Sequence, residues 1–174
     1  QSSKDFGIDL NAKDNIGRTS LQRACQTGKT ETAKLIITSS KDFGIDLNAK
    51  DDSEWTALHA ACWYGKTEIA QLIIHSSKDF GIDLNAKDNS GSTALHAACL
   101  NGQRETVQMI LKNWKELGID IKAQNNQGKT ALDLINHREG EGEENNQIKK
   151  MLKKEYSPID VTEPPSKVPK IMEN

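Results

Sequence analysis

The chain has 174 residues with a formal net charge of −2, and 5% of its residues are aromatic against 28% charged. That balance speaks against a polyanion-binding surface, which needs a clear basic excess, and no apolar run approaches the length of a membrane span. Scarce aromatics and many charges suit a thin core of Leu, Ile and Ala spread along an elongated body.

One wording recurs along the chain, starting at Asp14, Asp51 and Asp88 and, in worn form, at Asn125, so the period is 37 residues. A fixed period of this size marks an array of stacked units. The division expected is residues 1–13 as the back half of a preceding unit, full units at 14–50, 51–87 and 88–124, a degenerate capping unit at 125–155, and a Pro-rich tail at 156–174. The array is therefore expected to continue upstream.

The first element of the unit 51–87 is a short helix from Ala57, with Thr56 as N-cap because its hydroxyl can accept an orphaned first-turn amide. Gly65 ends it, supplying the left-handed residue such a corner requires. A second helix from about Glu68 carries Ile69, Leu72 and Ile73 as one apolar stripe. It extends to Phe80, since Gly81 before apolar Ile82 reads as a Schellman stop. Asp83 to Lys87 then lead out to a polar turn at Asp88–Gly91.

The run Asp88-Asn89-Ser90-Gly91-Ser92-Thr93-Ala94-Leu95-His96-Ala97-Ala98, the corner Gly102 and the exit Gly81–Ala86 resemble the ankyrin repeat family over residues 1 to 155. The resemblance implies an all-α solenoid of stacked helix-turn-helix units with turn fingers, followed here by an extended C-terminal tail. Alanine stands where the family favours proline after the capping Thr, a mild loss. The family unit is about 33 residues, so about four are extra here, close to one helical turn. They fall at Ser76–Asp79 and lengthen the second helix without turning its apolar face.

Along the chain, Phe6, Phe43, Phe80 and Leu117 form a packing ladder one unit apart. Gln22-Arg23 replace the His-Ala of the next two units, which suggests either a helix near an edge of the stack, where a polar face is needed, or a contact with a partner, the edge being the preferred reading. Trp114 replaces Ser40 and Ser77, and two readings stand open: a partner anchor, or a cover for the longer helix. The fourth unit has Asp133 at the His position and an acidic insertion at 139–146. Ile148, Met151 and Leu152 then give a last amphipathic helix, with Lys149, Lys150, Lys153 and Lys154 as its solvated face. The tail from Ser157 is extended by its prolines.

No enzyme motif is present: there is no phosphate loop, nucleophile elbow or His-Glu-x-x-His helix. His59, His96, Cys62 and Cys99 lack metal-ligand spacing within a unit, so neither a metal nor a cofactor is expected. The family resemblance gives the Thr–His pair a structural job, bonding turn to helix and to the next unit. Cys25, Cys62 and Cys99 repeat at one position. Packed helices stand about 8–10 Å apart and a disulfide needs Cα atoms within about 7 Å. Free, buried thiols are expected, in an intracellular protein, cytoplasmic or nuclear. Asn48 and Asn85 sit in an exit some ankyrin arrays have hydroxylated, but they read as turn formers bonding local backbone.

The resemblance also implies a partner surface, built from the turn tips and the adjoining face of the short helices. It would comprise Ile16 and Arg18 in the first full unit, Asp52, Trp55, Trp63 and Tyr64 in the second, and Ser90, Ser92, Leu100 and Asn101 in the third. Asn15, Gln26 and Thr27 belong to the same surface, as do Ser53, Asn89, Asn126, Gln127 and Lys129. Trp and Tyr dominate interface hot spots, the alternative for Trp63 being ordinary core packing between helices, and Glu54 replaces the finger glycine of Gly17, Gly91 and Gly128 beside Trp55. The expected function is a non-catalytic scaffold or adaptor binding a protein through its groove, as a monomer, without nucleic acid or membrane. The alternatives are an autoregulated module whose tail fills the groove, and the targeting arm of a larger enzyme or signalling protein.

Overall fold

In a computed structural model, residues 9–136 and 142–156 are described, and they form eight α-helices. Four are short: α1 (Ser20–Thr27), α3 (Ala57–Trp63), α5 (Ala94–Leu100) and α7 (Ala131–Asn136). Each is followed by a longer partner: α2 (Thr30–Phe43), α4 (Thr67–Phe80), α6 (Arg104–Leu117) and α8 (Glu143–Tyr156). Short helices stack on short and long on long, giving two layers, and the core of Ile, Leu, Ala and the three Cys runs between them. No described helix is long and apolar enough to cross a membrane.

Each short helix begins at the Thr the sequence marks. Thr56 Oγ1 accepts from the His59 amide, while the Thr56 amide donates to His59 Nδ1 at 3.3 Å. That nitrogen is therefore unprotonated, so Nε2 carries the hydrogen and donates to the Ser92 carbonyl at 3.0 Å, one unit on. His96 repeats the arrangement toward the Lys129 carbonyl at 3.1 Å. Burial pushes both imidazoles below their ordinary titration range, against the opposing pull of the carbonyl each one meets. In the degenerate unit Asp133 takes over the cap, accepting from the Thr130 amide at 2.9 Å and its hydroxyl at 2.7 Å.

α1 is the end helix of the described short-helix layer, packing there on α3, but Gln22 is not part of a polar edge face. It is 2% exposed, accepts from the Thr19 amide at 2.7 Å and donates to the Trp55 carbonyl at 2.5 Å. A primary amide can accept with its oxygen and donate with its nitrogen, so it reproduces both bonds of the neutral imidazole. Arg23, beside it, is exposed.

The extra residues extend the long helices as expected. At the end of α4, Gly81 lies at φ 65° with its amide on the Ser77 carbonyl, and Ile82 bonds the same carbonyl. Ser77 is buried and turns its hydroxyl back onto the Ile74 carbonyl. Trp114, at the matching position of α6, is half-buried against the core and donates to Glu155 of α8 at 3.1 Å, so it covers the joint between the last two long helices. Ile148 and Leu152 are fully buried and Met151 half-buried, which closes the stack. Phe80 and Leu117 pack against the core, whereas Phe6 and the tail from Ser157 lie outside the described residues.

Asn48 and Asn85 differ from expectation. Local amides are taken by the aspartates two residues earlier, Asp46 and Asp83, each at 2.9 Å. The asparagines are thereby released to reach the next unit: Asn48 donates to the Gly81 carbonyl at 2.9 Å and accepts from the Asp83 amide at 2.8 Å. Asn11 and Asn85 make the same clip toward Gly44 and Gly118. Lys13, Lys50 and Lys87 add a second ladder, each donating to the backbone carbonyl 37 residues on.

Candidate partner-binding cleft

Each finger is held by one side chain. Asp51 Oδ1 accepts from the amides of Ser53 and Trp55, both at 2.9 Å, and Asp14, Asp88 and Asn125 do the same in their fingers. Adjacent tips are tied along the stack, with the Asp52 amide on the Ile16 carbonyl at 3.3 Å and the Asn89 amide on that of Ser53 at 3.2 Å. The second finger alone carries a side chain at its left-handed position, Glu54 at φ 63°, whose carboxylate meets Lys50 at 2.8 Å.

Trp55 leaves this finger toward the short helices. Its indole N–H donates to Asp88 at 3.2 Å, and its ring stacks on His59 at 6.3 Å between centroids. The Trp63 ring meets it at 5.2 Å, tilted by 56°. Tyr64 follows α3 and is 41% exposed; its hydroxyl accepts from Gln26 of the previous unit at 3.0 Å. Gln26 in turn accepts from Arg18 at 2.9 Å, and Arg18 meets Asp14 at 3.2 Å. The Arg18 and Ile16 amides, together with that guanidinium, hold the Asp14 carboxyl below its ordinary range despite an opposing contribution from burial.

These residues surround a cleft of about 180 Å³ between the first and second full units, lined by Arg18, Gln22, Gln26, Asp51, Ser53, Trp55, Thr56, Ala60 and Tyr64. Of the ten positions expected on the partner surface, Arg18, Trp55 and Tyr64 come together here. Trp63 is half-buried against the core and touches the cleft only through the Trp55 ring. Ile16, at 44% exposure, and Asp52 stand at finger tips outside it. Ser90 is exposed on the third finger, where its hydroxyl bonds Asp88 at 2.7 Å. Leu100 and Asn101 are half-buried at the end of α5.

Ser92 does not belong to an exposed surface. It is 6% exposed, because the foot of the third finger is pinned by Asp88 and by His59 of the preceding unit. Gln26, expected on the same surface, lines the cleft, and so does Asp51, which the turn-tip pattern does not single out. The signal for Gln26 is positional: it occupies the Trp63 position one unit earlier, where a Tyr64 side chain reaching back can meet it. Among the described residues no group of His, Cys, Asp or Glu is arranged to hold a metal ion.

A model of ankyrin repeats in three copies matches residues 4–88, and a second ankyrin-repeat model matches residues 77–135. The chain belongs to the ankyrin repeat family. No curated protein matches it. Ankyrin arrays are in general protein–protein interaction modules, and in this ankyrin array the cleft lies on the face of fingers and short helices.

Proposed function

We propose that this ankyrin array is a non-catalytic scaffold that binds a protein partner along the face formed by its fingers and short helices, centred on the first two full units. The observation that carries this reading is the exposed Tyr64 beside Trp55 and Arg18 around one cleft. Tyr, Trp and Arg are the residues most enriched at interface hot spots. The rim is ordered before any partner arrives: Gln26 is clamped between Arg18 and Tyr64, and Trp55 is held by Asp88. Preorganisation of this kind reduces the ordering entropy of association. Trp63 supports the Trp55 ring from behind, and Asp52 and Ile16 widen the surface at the finger tips.

The test is affinity capture from extracts of the source cell with the intact array, Tyr64→Ala, Trp63→Ala and Leu35→Ser. Leu35 lies on a long helix and is 67% exposed, so it controls for loss of any exposed apolar group. A partner retained by Leu35→Ser and lost by Tyr64→Ala and Trp63→Ala supports the reading, provided both variants keep the helical circular dichroism of the parent. Equal capture by all four proteins overturns it.

A further inference from the structure

Resting on that reading, we propose that the cleft receives a primary carboxamide, the side chain of a glutamine or asparagine on the partner. Arg18, at the foot of the first finger, and Tyr64, just after α3, offer donors. Arg18 spends Nε on Asp14 and one terminal nitrogen on Gln26, leaving the other terminal nitrogen without a partner among the described residues. The Tyr64 hydroxyl accepts from Gln26, so its own hydrogen is free to donate. Asp51, in the second finger, offers an acceptor. Asp51 uses Oδ1 for two amides of its finger and leaves Oδ2 without a partner among the described residues. The Trp55 indole lies in the lining common to both.

A carboxamide matches this arrangement because its oxygen accepts while its nitrogen donates. A planar amide also packs well on an aromatic wall. A carboxylate satisfies the Arg18 and Tyr64 rim but faces Asp51; an ammonium or guanidinium satisfies Asp51 but faces Arg18. Neither charge of the cleft calls for a full counter-charge, since Arg18 is already paired with Asp14 and Asp51 is already bonded to the N–H groups of its own finger. A neutral group able to play both parts leaves fewest buried polar atoms unmatched, and an unmatched one is costly.

The experiment titrates the full chain with acetylated, amidated peptides of sequence Gly-Leu-Xaa-Leu-Gly, in which Xaa is Gln, Glu, Lys or Leu. The Trp55 indole N–H and the Arg18 side chain are followed by NMR. The glutamine peptide is expected to shift both signals saturably, with a Kd about fivefold below the other three, on the order of one net neutral hydrogen bond. Tyr64→Phe, which keeps the ring and removes the donor, should abolish that advantage. Equal or tighter binding of the Glu, Lys or Leu peptide, absence of any shift, or an advantage that survives Tyr64→Phe overturns the proposal. If it fails while Tyr64→Ala and Trp63→Ala still lose the captured partner, the interaction reading stands and only the carboxamide is lost.

Discussion

His59 Nε2 donates to the Ser92 carbonyl at 3.0 Å, across 33 residues of sequence, and the same ring accepts from Thr56 through Nδ1. A second proton on Nδ1 would set two donors against each other in a buried site. The imidazole of His59, and likewise of His96, is accordingly held below its ordinary value of 6.5. A depressed folded-state pKa means the unfolded chain takes up protons the folded chain refuses. This contribution to stability is complete above pH 6.5 and is lost as pH falls through the lower folded values. Thermal unfolding followed from pH 8 toward pH 5 should show a falling midpoint. Asp14 and Glu105, also lowered, lose their contributions only below their ordinary values of 3.8 and 4.5, a separate and more acidic window. Replacing His59 with the glutamine used in the first unit should flatten the near-neutral slope; an unchanged slope refutes the assignment.

The thiols make a second prediction. Cys25, Cys62 and Cys99 are fully buried and free, and burial pushes the Cys25 thiol up to about 12 and the other two higher still. The thiolate is the reactive form, so a disulfide reagent added at pH 8 should find no prompt reaction in the native array. All three should react after denaturation without any reductant. Prompt native labelling of even one thiol contradicts the burial found here.

The closing helix α8 makes the third. Ile148 and Leu152 are 0% exposed and belong to the same core as the units before them. Tyr156 donates its hydroxyl to the Ile121 carbonyl, and Trp114 bonds Glu155, so the helix is fastened at its far end as well. Ile148→Ala should cost about 3 kcal/mol in chemical denaturation, within the range for large-to-small core changes. Lys150→Ala, on the exposed side of the same helix, should cost little.

What could be read in advance was what depends on neighbours in sequence. The Thr56 cap, the Gly81 stop and the extra turn at Ser76–Asp79 each follow from residues a few positions apart, and each stands as expected. The roles of Gln22 and Asn48 depend on carbonyls 27 to 33 residues away, and nothing near them in sequence reveals that reach. The candidate site divides the same way. Tyr64 and Trp55 were recognisable as large aromatics in variable positions. Trp63 lies next to Tyr64 in sequence but turns inward against the core, because one step along a helix rotates a side chain by about 100°. Ser92 was misread for a similar reason: the finger foot is covered by the preceding unit, which variability alone does not show.

The last prediction concerns the second finger. Glu54 occupies φ 63°, where the other fingers have Gly17, Gly91 and Gly128. A left-handed conformation costs a residue with a Cβ roughly 1–2 kcal/mol, and the exposed Lys50–Glu54 ion pair returns at most a fraction of that. Glycine at this position relieves the strain but loosens the unfolded chain, an opposing effect of roughly 0.4–1 kcal/mol. Glu54→Gly should therefore raise stability by a net of about 0.5–1 kcal/mol. The reverse exchange in the third finger should act oppositely and more strongly. A Cβ at residue 91 would stand 2.8 Å from the Asn126 backbone nitrogen, at a φ of 74°, so Gly91→Glu adds a backbone clash to the strain. That clash sits where the Asn126 amide bonds the Ser90 carbonyl at 2.9 Å, so the fourth finger must shift. Equilibrium denaturation of the two variants, measured side by side, decides the matter: a loss in Glu54→Gly would show that the glutamate holds the second finger through contacts stronger than its ion pair with Lys50.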